Sequence, residues 1–88
     1  MENPQYQLVR ISKAASGAGV STQSLQYYLM LGLLEPTGYT PSGQQLFNDE
    51  AIKRIKLIKQ LNSTGYPLRE IREIFLQRDG ESSEDNNS

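Results

Sequence analysis

Between Gly19 and Leu34 the chain alternates apolar and polar positions at helical spacing. Leu25, Tyr28 and Leu31 recur every three residues and share one face, the stripe that a core-facing helix needs. Thr22, Gln23, Gln26 and Tyr27 fall on the opposite face. Gly19 and Val20 read as a turn before this segment. Ser21 stands where a side-chain oxygen accepts a bond from a free backbone N–H, and Gly32 stands where a helix stops. The pattern predicts a helix over about Thr22–Leu31. Upstream, Leu8–Ile11 reads as a short extended piece. Ser12 is the expected cap of a first helix, from Lys13 to about Ala18, rich in small residues. Gly17 inside that helix costs roughly 1 kcal/mol relative to alanine. A short helix, a glycine turn and a second helix with one polar face form a helix-turn-helix pattern.

Downstream, Pro41-Ser42-Gly43 is a turn signal between two short pieces able to pair as strands. The spacing over residues 37–47 is open between a small β-hairpin "wing" with a polar and aromatic tip and an ordinary surface loop. Asn48 is placed to cap a third helix, with Asp49 and Glu50 where the helix dipole favours negative charge. Ile52, Ile55, Ile58 and Leu61 line one face of it, with Leu57 beside them. Lys53, Arg54, Lys56 and Lys59 lie elsewhere around it. Asn62–Tyr66 reads as a loop, with Gly65 a left-handed position. Pro67 opens a fourth helix, Leu68 to about Leu76 or Gln77, whose buried stripe is Leu68, Ile71, Ile74 and Phe75. Arg69, Glu70, Arg72 and Glu73 alternate on its outside, most simply for solubility. The expected architecture is mainly α: four helices and a small hairpin over residues 8–78, a flexible leader over 1–7, and a disordered acidic tail over 79–88.

Composition narrows the chemistry. The 88 residues contain no cysteine and no histidine. Disulfides, thiolate metal sites, cysteine nucleophiles and imidazole acid–base catalysis are therefore excluded. No glycine loop cradles phosphate, and the carboxylates are scattered, so an enzyme is not expected, and neither is a cofactor, a metal or a small-molecule ligand. Nothing resembles a signal peptide or a membrane span, which makes a cytoplasmic protein the expectation. The formal net charge of −1 conceals an asymmetry. All nine basic residues lie within 1–78 against six acidic ones, a balance of +3, while the last ten residues carry four acidic groups and no basic one. A mildly basic domain with an acidic tail fits that distribution.

The ordered set of motifs resembles the DNA-binding domain of the MerR family of bacterial transcription regulators. The resemblance runs from about Ile11 to Phe75. It is carried by Gly19-Val20-Ser21, Ser24-Leu25, Tyr27-Tyr28, Leu31-Gly32-Leu33-Leu34, Pro36, Ser42-Gly43, Leu46-Phe47, Asn48-Asp49-Glu50, Ile55, Ile58, Leu61, Gly65-Tyr66, Leu68, Ile71 and Ile74. It implies a winged helix-turn-helix whose second helix enters the major groove of double-stranded DNA. The hairpin, with a second wing around Asn62–Tyr66, would then grip the backbone. On this reading Thr22, Gln23, Gln26 and Tyr27 contact bases or nearby phosphates. Ser21, Tyr39, Ser42, Gly43 and Gln45 contact the backbone, and Lys13, Arg54 and Lys56 are further basic contacts. For Tyr27 the competing role is packing beside Tyr28.

Three departures from the family pattern bear on function. Glutamine stands at Gln26, where the family usually carries arginine, and Gln44-Gln45 stand in the wing where it usually carries tyrosine-arginine, both arginines typically holding phosphates. Glutamine donates hydrogen bonds without charge or counterion release. Leu29 and Met30 are apolar where the family is polar. They would form a contact with a second copy or a partner regulator, or else local packing buries them. After Arg78 the chain turns acidic where family members continue into a long dimerisation helix and a sensing domain. It therefore reads as a piece of a larger regulator or as a minimal one. The alternative function is a winged-helix module that binds another regulator and has little affinity for DNA.

Overall fold

The computed structural model describes residues 7–87, with side chains over 7–78. The element order is β1 (Val9–Arg10), α1 (Ile11–Ala18), α2 (Thr22–Met30), β2 (Gly38–Tyr39), β3 (Gln45–Phe47), α3 (Asp49–Ser63) and α4 (Leu68–Asn87). The segment over 37–47 is a hairpin: Gly38 pairs with Leu46 and Tyr39 with Gln45, antiparallel. The extended piece before α1 joins the same sheet. β1 lies on the far side of β3, with Val9 opposite Phe47 and Arg10 opposite Leu46, giving the order β1-β3-β2. A two-residue strand has too little periodicity to announce its partner in sequence.

The helices close around one apolar core. Ala14, Ala15 and Ala18 of α1 are buried against Leu25 and Tyr28 of α2, Leu33 and Leu34 after it, Phe47 of β3, Ile55 and Ile58 of α3, and Ile71 and Phe75 of α4. Ile52, Leu61, Leu68 and Ile74 pack at the edge of this core, while Leu57 stays largely outside it. No polar or charged residue is buried among the described residues. Among them, too, no helix is long and apolar enough to cross a membrane.

Several boundaries differ from those expected. Helix α1 begins at Ile11, with Arg10 at the cap position in extended backbone and no side-chain cap bond. Arg10 still pairs in the sheet, so the chain passes directly from ladder to helix and Ser12 lies inside α1. Helix α2 ends at Met30, and Leu31 is its capping residue. Helix α4 runs to Asn87, well past Leu76 or Gln77 and through most of the segment expected to be disordered. No proline follows Arg78, so a helix anchored by Ile71 and Phe75 meets no obligatory stop there. The expected leader falls almost wholly outside the described residues, as does Ser88.

The end of α2 fixes the path into the wing. Gly32 N–H donates to Leu29 O at 3.1 Å and Leu33 N–H donates to Tyr28 O at 3.0 Å. This pair of bonds reverses the chain and needs a left-handed residue between helix and loop. Gly32 fills it with φ +80°. A β-carbon there would also lie 3.2 Å from Arg72 Nε. Gly17, in contrast, sits in α1 with its nearest neighbour 4.0 Å from an added β-carbon. The two glycines should therefore answer oppositely to alanine. In urea unfolding, Gly32→Ala is expected to lower stability by about 1–2 kcal/mol, and Gly17→Ala to raise it by about 0.5–1 kcal/mol. The same sign for both would contradict these backbone assignments.

Candidate nucleic-acid interface

The turn between α1 and α2 is built from backbone bonds. Gly19 N–H donates to Ser16 O at 3.1 Å and Val20 N–H to Ala15 O at 3.0 Å, with Gly19 at φ +78°. Ser21 then caps α2: its Oγ accepts from Ser24 N–H at 3.0 Å, and the two serine hydroxyls bond to each other at 3.1 Å. Ser21 is thus committed to orienting the helix. From α3, Lys59 Nζ donates to Gly19 O at 2.8 Å and fastens the turn to the body of the domain.

Helix α2 divides cleanly. Leu25 and Tyr28 are buried; Ser24 and Leu29 are half-buried. Thr22, Gln23, Gln26, Tyr27 and Met30 are exposed and make one continuous arc at i, i+3 and i+4 spacing. The two adjacent tyrosines have separate roles. Tyr28 is a core residue whose burial pushes its phenol pKa above the ordinary value and keeps it neutral. Tyr27 is 48% exposed on the polar arc, so the packing role belongs to Tyr28. Leu29 turns inward against the core while Met30 is 74% exposed. The expected Leu29–Met30 patch is therefore Met30 alone.

The wing presents a different surface. At its tip Gly43 N–H donates to Thr40 O at 2.9 Å. Gln44 N–H donates to Thr40 Oγ1 at 3.0 Å, and the Thr40 and Ser42 hydroxyls bond at 3.0 Å. Ser42 and Gly43 are exposed, Tyr39 is 61% exposed, and Gln45 is half-buried in the ladder. Thr37 Oγ1 accepts from Asn48 N–H at 3.0 Å and joins the wing to the start of α3. Asn48 in turn caps α3 through Ala51 N–H at 2.9 Å.

The basic candidates separate. Lys13 and Lys56 are exposed on α1 and α3. Arg54 is half-buried: its Nε donates to Leu33 O at 2.9 Å, and its guanidinium lies 4.2 Å from the centre of the Phe75 ring. It binds the end of α2 to α3 and α4. Sequence reasoning also passed over Arg69 and Arg72. These line a groove with Tyr27 and Met30 of α2; their even spacing with glutamates pointed only to a solvated face. Among the described residues no group of acidic side chains could hold a metal ion.

Three relatives are informative. The HTH-type regulator MerD of Pseudomonas aeruginosa is 38% identical over 58 residues, 66% of this chain and 48% of that protein. A MerR-family transcriptional regulator from Bacillus cereus superposes with a TM-score of 0.74 at 33% identity, covering 82% of this chain and 54% of the other. HiNmlR, described as a MerR-family regulator lacking the sensor domain and bound to promoter DNA, superposes with a TM-score of 0.70 at 29% identity, covering 77% and 54%. The chain spans about a third to a half of the length of most curated relatives it matches. The family model described as "MerR HTH family regulatory protein" matches residues 9–78. The chain belongs to the MerR HTH family of regulatory proteins.

Proposed function

We propose that this chain is the sequence-specific DNA-binding unit of a cytoplasmic transcription regulator, with α2 in the major groove and the wing on the backbone. The observation that carries this reading is the exposed arc of α2. Thr22, Gln23, Gln26 and Tyr27 all face solvent, while every apolar residue of the helix except Met30 turns to the core. An α-helix with its side chains is about 10–12 Å across, and B-DNA's major groove is roughly 12 Å wide. Gln23 and Gln26 have the amide geometry that pairs with adenine N6 and N7. HiNmlR, which shares the fold, is described as bound to promoter DNA, and this supports carrying the role across.

Positioning and contact are separate tasks in this proposal. Ser21, Arg54 and Lys59 hold α2 in place. Thr22, Gln23, Gln26 and Tyr27 meet bases and adjacent phosphates, and Tyr39, Ser42, Gly43 and Gln45 meet backbone, with Lys13 and Lys56 as outlying cations. Homodimerisation is proposed as the means of binding two half-sites. The interaction-module alternative loses half of its apolar patch, since Leu29 packs inward.

The direct test is electrophoretic mobility of a pool of promoter-length duplexes with the purified chain at two salt concentrations and with competitor DNA. A discrete shift that resists competitor and weakens steeply with salt is expected. No shift even at low salt would reject the reading. Within the same assay, Gln26→Arg should tighten binding and steepen the salt dependence by about one phosphate contact, a slope change of roughly 0.9. Unchanged or weaker binding would remove Gln26 from the backbone side of the helix.

A further inference from the structure

Sulfur is scarce in this chain, and the structure puts it on the surface. There is no cysteine, and the methionines are Met1 and Met30. Met1 lies outside the described residues, so among them Met30 alone carries sulfur. Met30 closes α2 with 74% of its surface exposed, more than any other large apolar side chain among the described residues. Leu29 beside it packs against the core, and Met30 does not. A change of polarity at Met30 therefore leaves the core untouched. Its surroundings are charged. Met30 shares a groove with Tyr27 and Leu31 on one wall and Arg69, Glu70 and Arg72 on the other. The walls approach closely at the end of α2, where Arg72 Nε lies 3.2 Å from a β-carbon placed on Gly32.

An exposed thioether takes one oxygen atom from a two-electron oxidant. With hydrogen peroxide the O–O bond breaks, an S–O bond forms, the sulfur gives up two electrons and water leaves. The sulfoxide is polar, and its oxygen accepts hydrogen bonds without a proton to donate. The groove discriminates between the two forms. Thioether sulfur is a weak acceptor, and guanidinium groups only donate. Two guanidinium groups against one carboxylate leave donors in excess on the α4 wall, and a sulfoxide oxygen is the partner that the thioether cannot be. The outer side of Met30 has the opposite preference. Met30 lies on one arc with Thr22, Gln23, Gln26 and Tyr27. Phosphate oxygens and most groups on major-groove base edges are acceptors. A sulfoxide on this arc sets an acceptor against acceptors and removes apolar surface.

We propose that Met30 is an oxidation site: a hydroperoxide converts it to the sulfoxide, Arg69 and Arg72 hold the new oxygen across the groove, and the oxidised chain loses affinity for DNA. Only the last of these steps rests on the DNA-binding reading above.

The test treats the full chain with hydrogen peroxide. Peptide mass mapping should place one added oxygen atom on Met30, and thermal melting should not change. The Arg69 and Arg72 Nε–H signals in a nitrogen–proton NMR spectrum should move. Affinity for one duplex at fixed salt should fall about five- to tenfold, the effect of one unmatched acceptor, and methionine sulfoxide reductase should restore it. Met30→Leu should bind DNA as the reduced wild type does, and peroxide should change neither its arginine signals nor its affinity. That variant keeps Met1 and so controls for oxidation there. No added oxygen on Met30 overturns the proposal, as does an equal peroxide effect on Met30→Leu. Arginine signals that stay still overturn the part given to Arg69 and Arg72. A duplex bound equally by reduced and oxidised wild type overturns the effect on affinity and spares the DNA reading. A reduced wild type that binds no DNA at low salt overturns the DNA reading and that effect together, and the mass and arginine signals then decide the site.

Discussion

The geometry of this domain depends on Arg54. Its Nε holds the Leu33 carbonyl just past α2, and its guanidinium covers the Phe75 ring of α4. One side chain from α3 therefore connects the other two helices that frame the groove. A charge-assisted bond of this kind contributes about 1.5–3 kcal/mol, and a partly shielded cation–π contact about 0.5–2 kcal/mol. For a small domain, those values are a sizeable share of total stability. Lys59 repeats the device at the other end of the motif, where it holds Gly19 O in the turn. Helix α3 thus fixes both ends of α2 through backbone carbonyls and leaves the exposed face of α2 free of structural duties.

That division explains why the polar groups of the motif differ in their availability. The Ser21 hydroxyl is used twice within the cap. The Thr40 and Ser42 hydroxyls are joined in the wing turn. Gln23, Gln26 and Tyr27 stand exposed on a rigid helix, so contact with a ligand costs little rearrangement of the backbone. The domain's positive charge is small, nine basic against six acidic residues over 1–78. A distribution this lean makes the location of each cation matter more than their number. Arg54 and Lys59 serve the fold, and Arg69 and Arg72 line a groove with Tyr27 and Met30 of the exposed arc.

Much of this was legible in the residues themselves. The i, i+3 stripe of Leu25 and Tyr28, the Ser21 and Asn48 caps, and the glycines ending α1 and α2 all carry strong local signals, and the structure has each of them. Tyr27 and Tyr28 separated correctly because the helical period alone decides which faces inward. What the sequence did not disclose is non-local. The pairing of Val9 and Arg10 with β3 depends on a strand more than thirty residues away. The inward turn of Leu29 depends on where the core happens to end. Arg54 read as a further basic contact and Lys59 as one more cation around α3, because nothing local reveals that a cation reaches a carbonyl twenty to forty residues away. Arg69 and Arg72 were hidden by alternation with Glu70 and Glu73, which suits a solubilising face equally well. The length of α4 was missed because the apolar stripe that anchors it stops well before its last residue.

We propose that DNA meets the exposed arc of α2 and the wing together. The most direct measurement is amide chemical-shift mapping by NMR as the labelled chain is titrated with duplex DNA. The largest shifts are expected on residues 22–30 and 39–45, with the groove around Lys53 and Leu57 undisturbed. Shifts concentrated around Lys53 and Leu57, with the α2 arc unaffected, would contradict it.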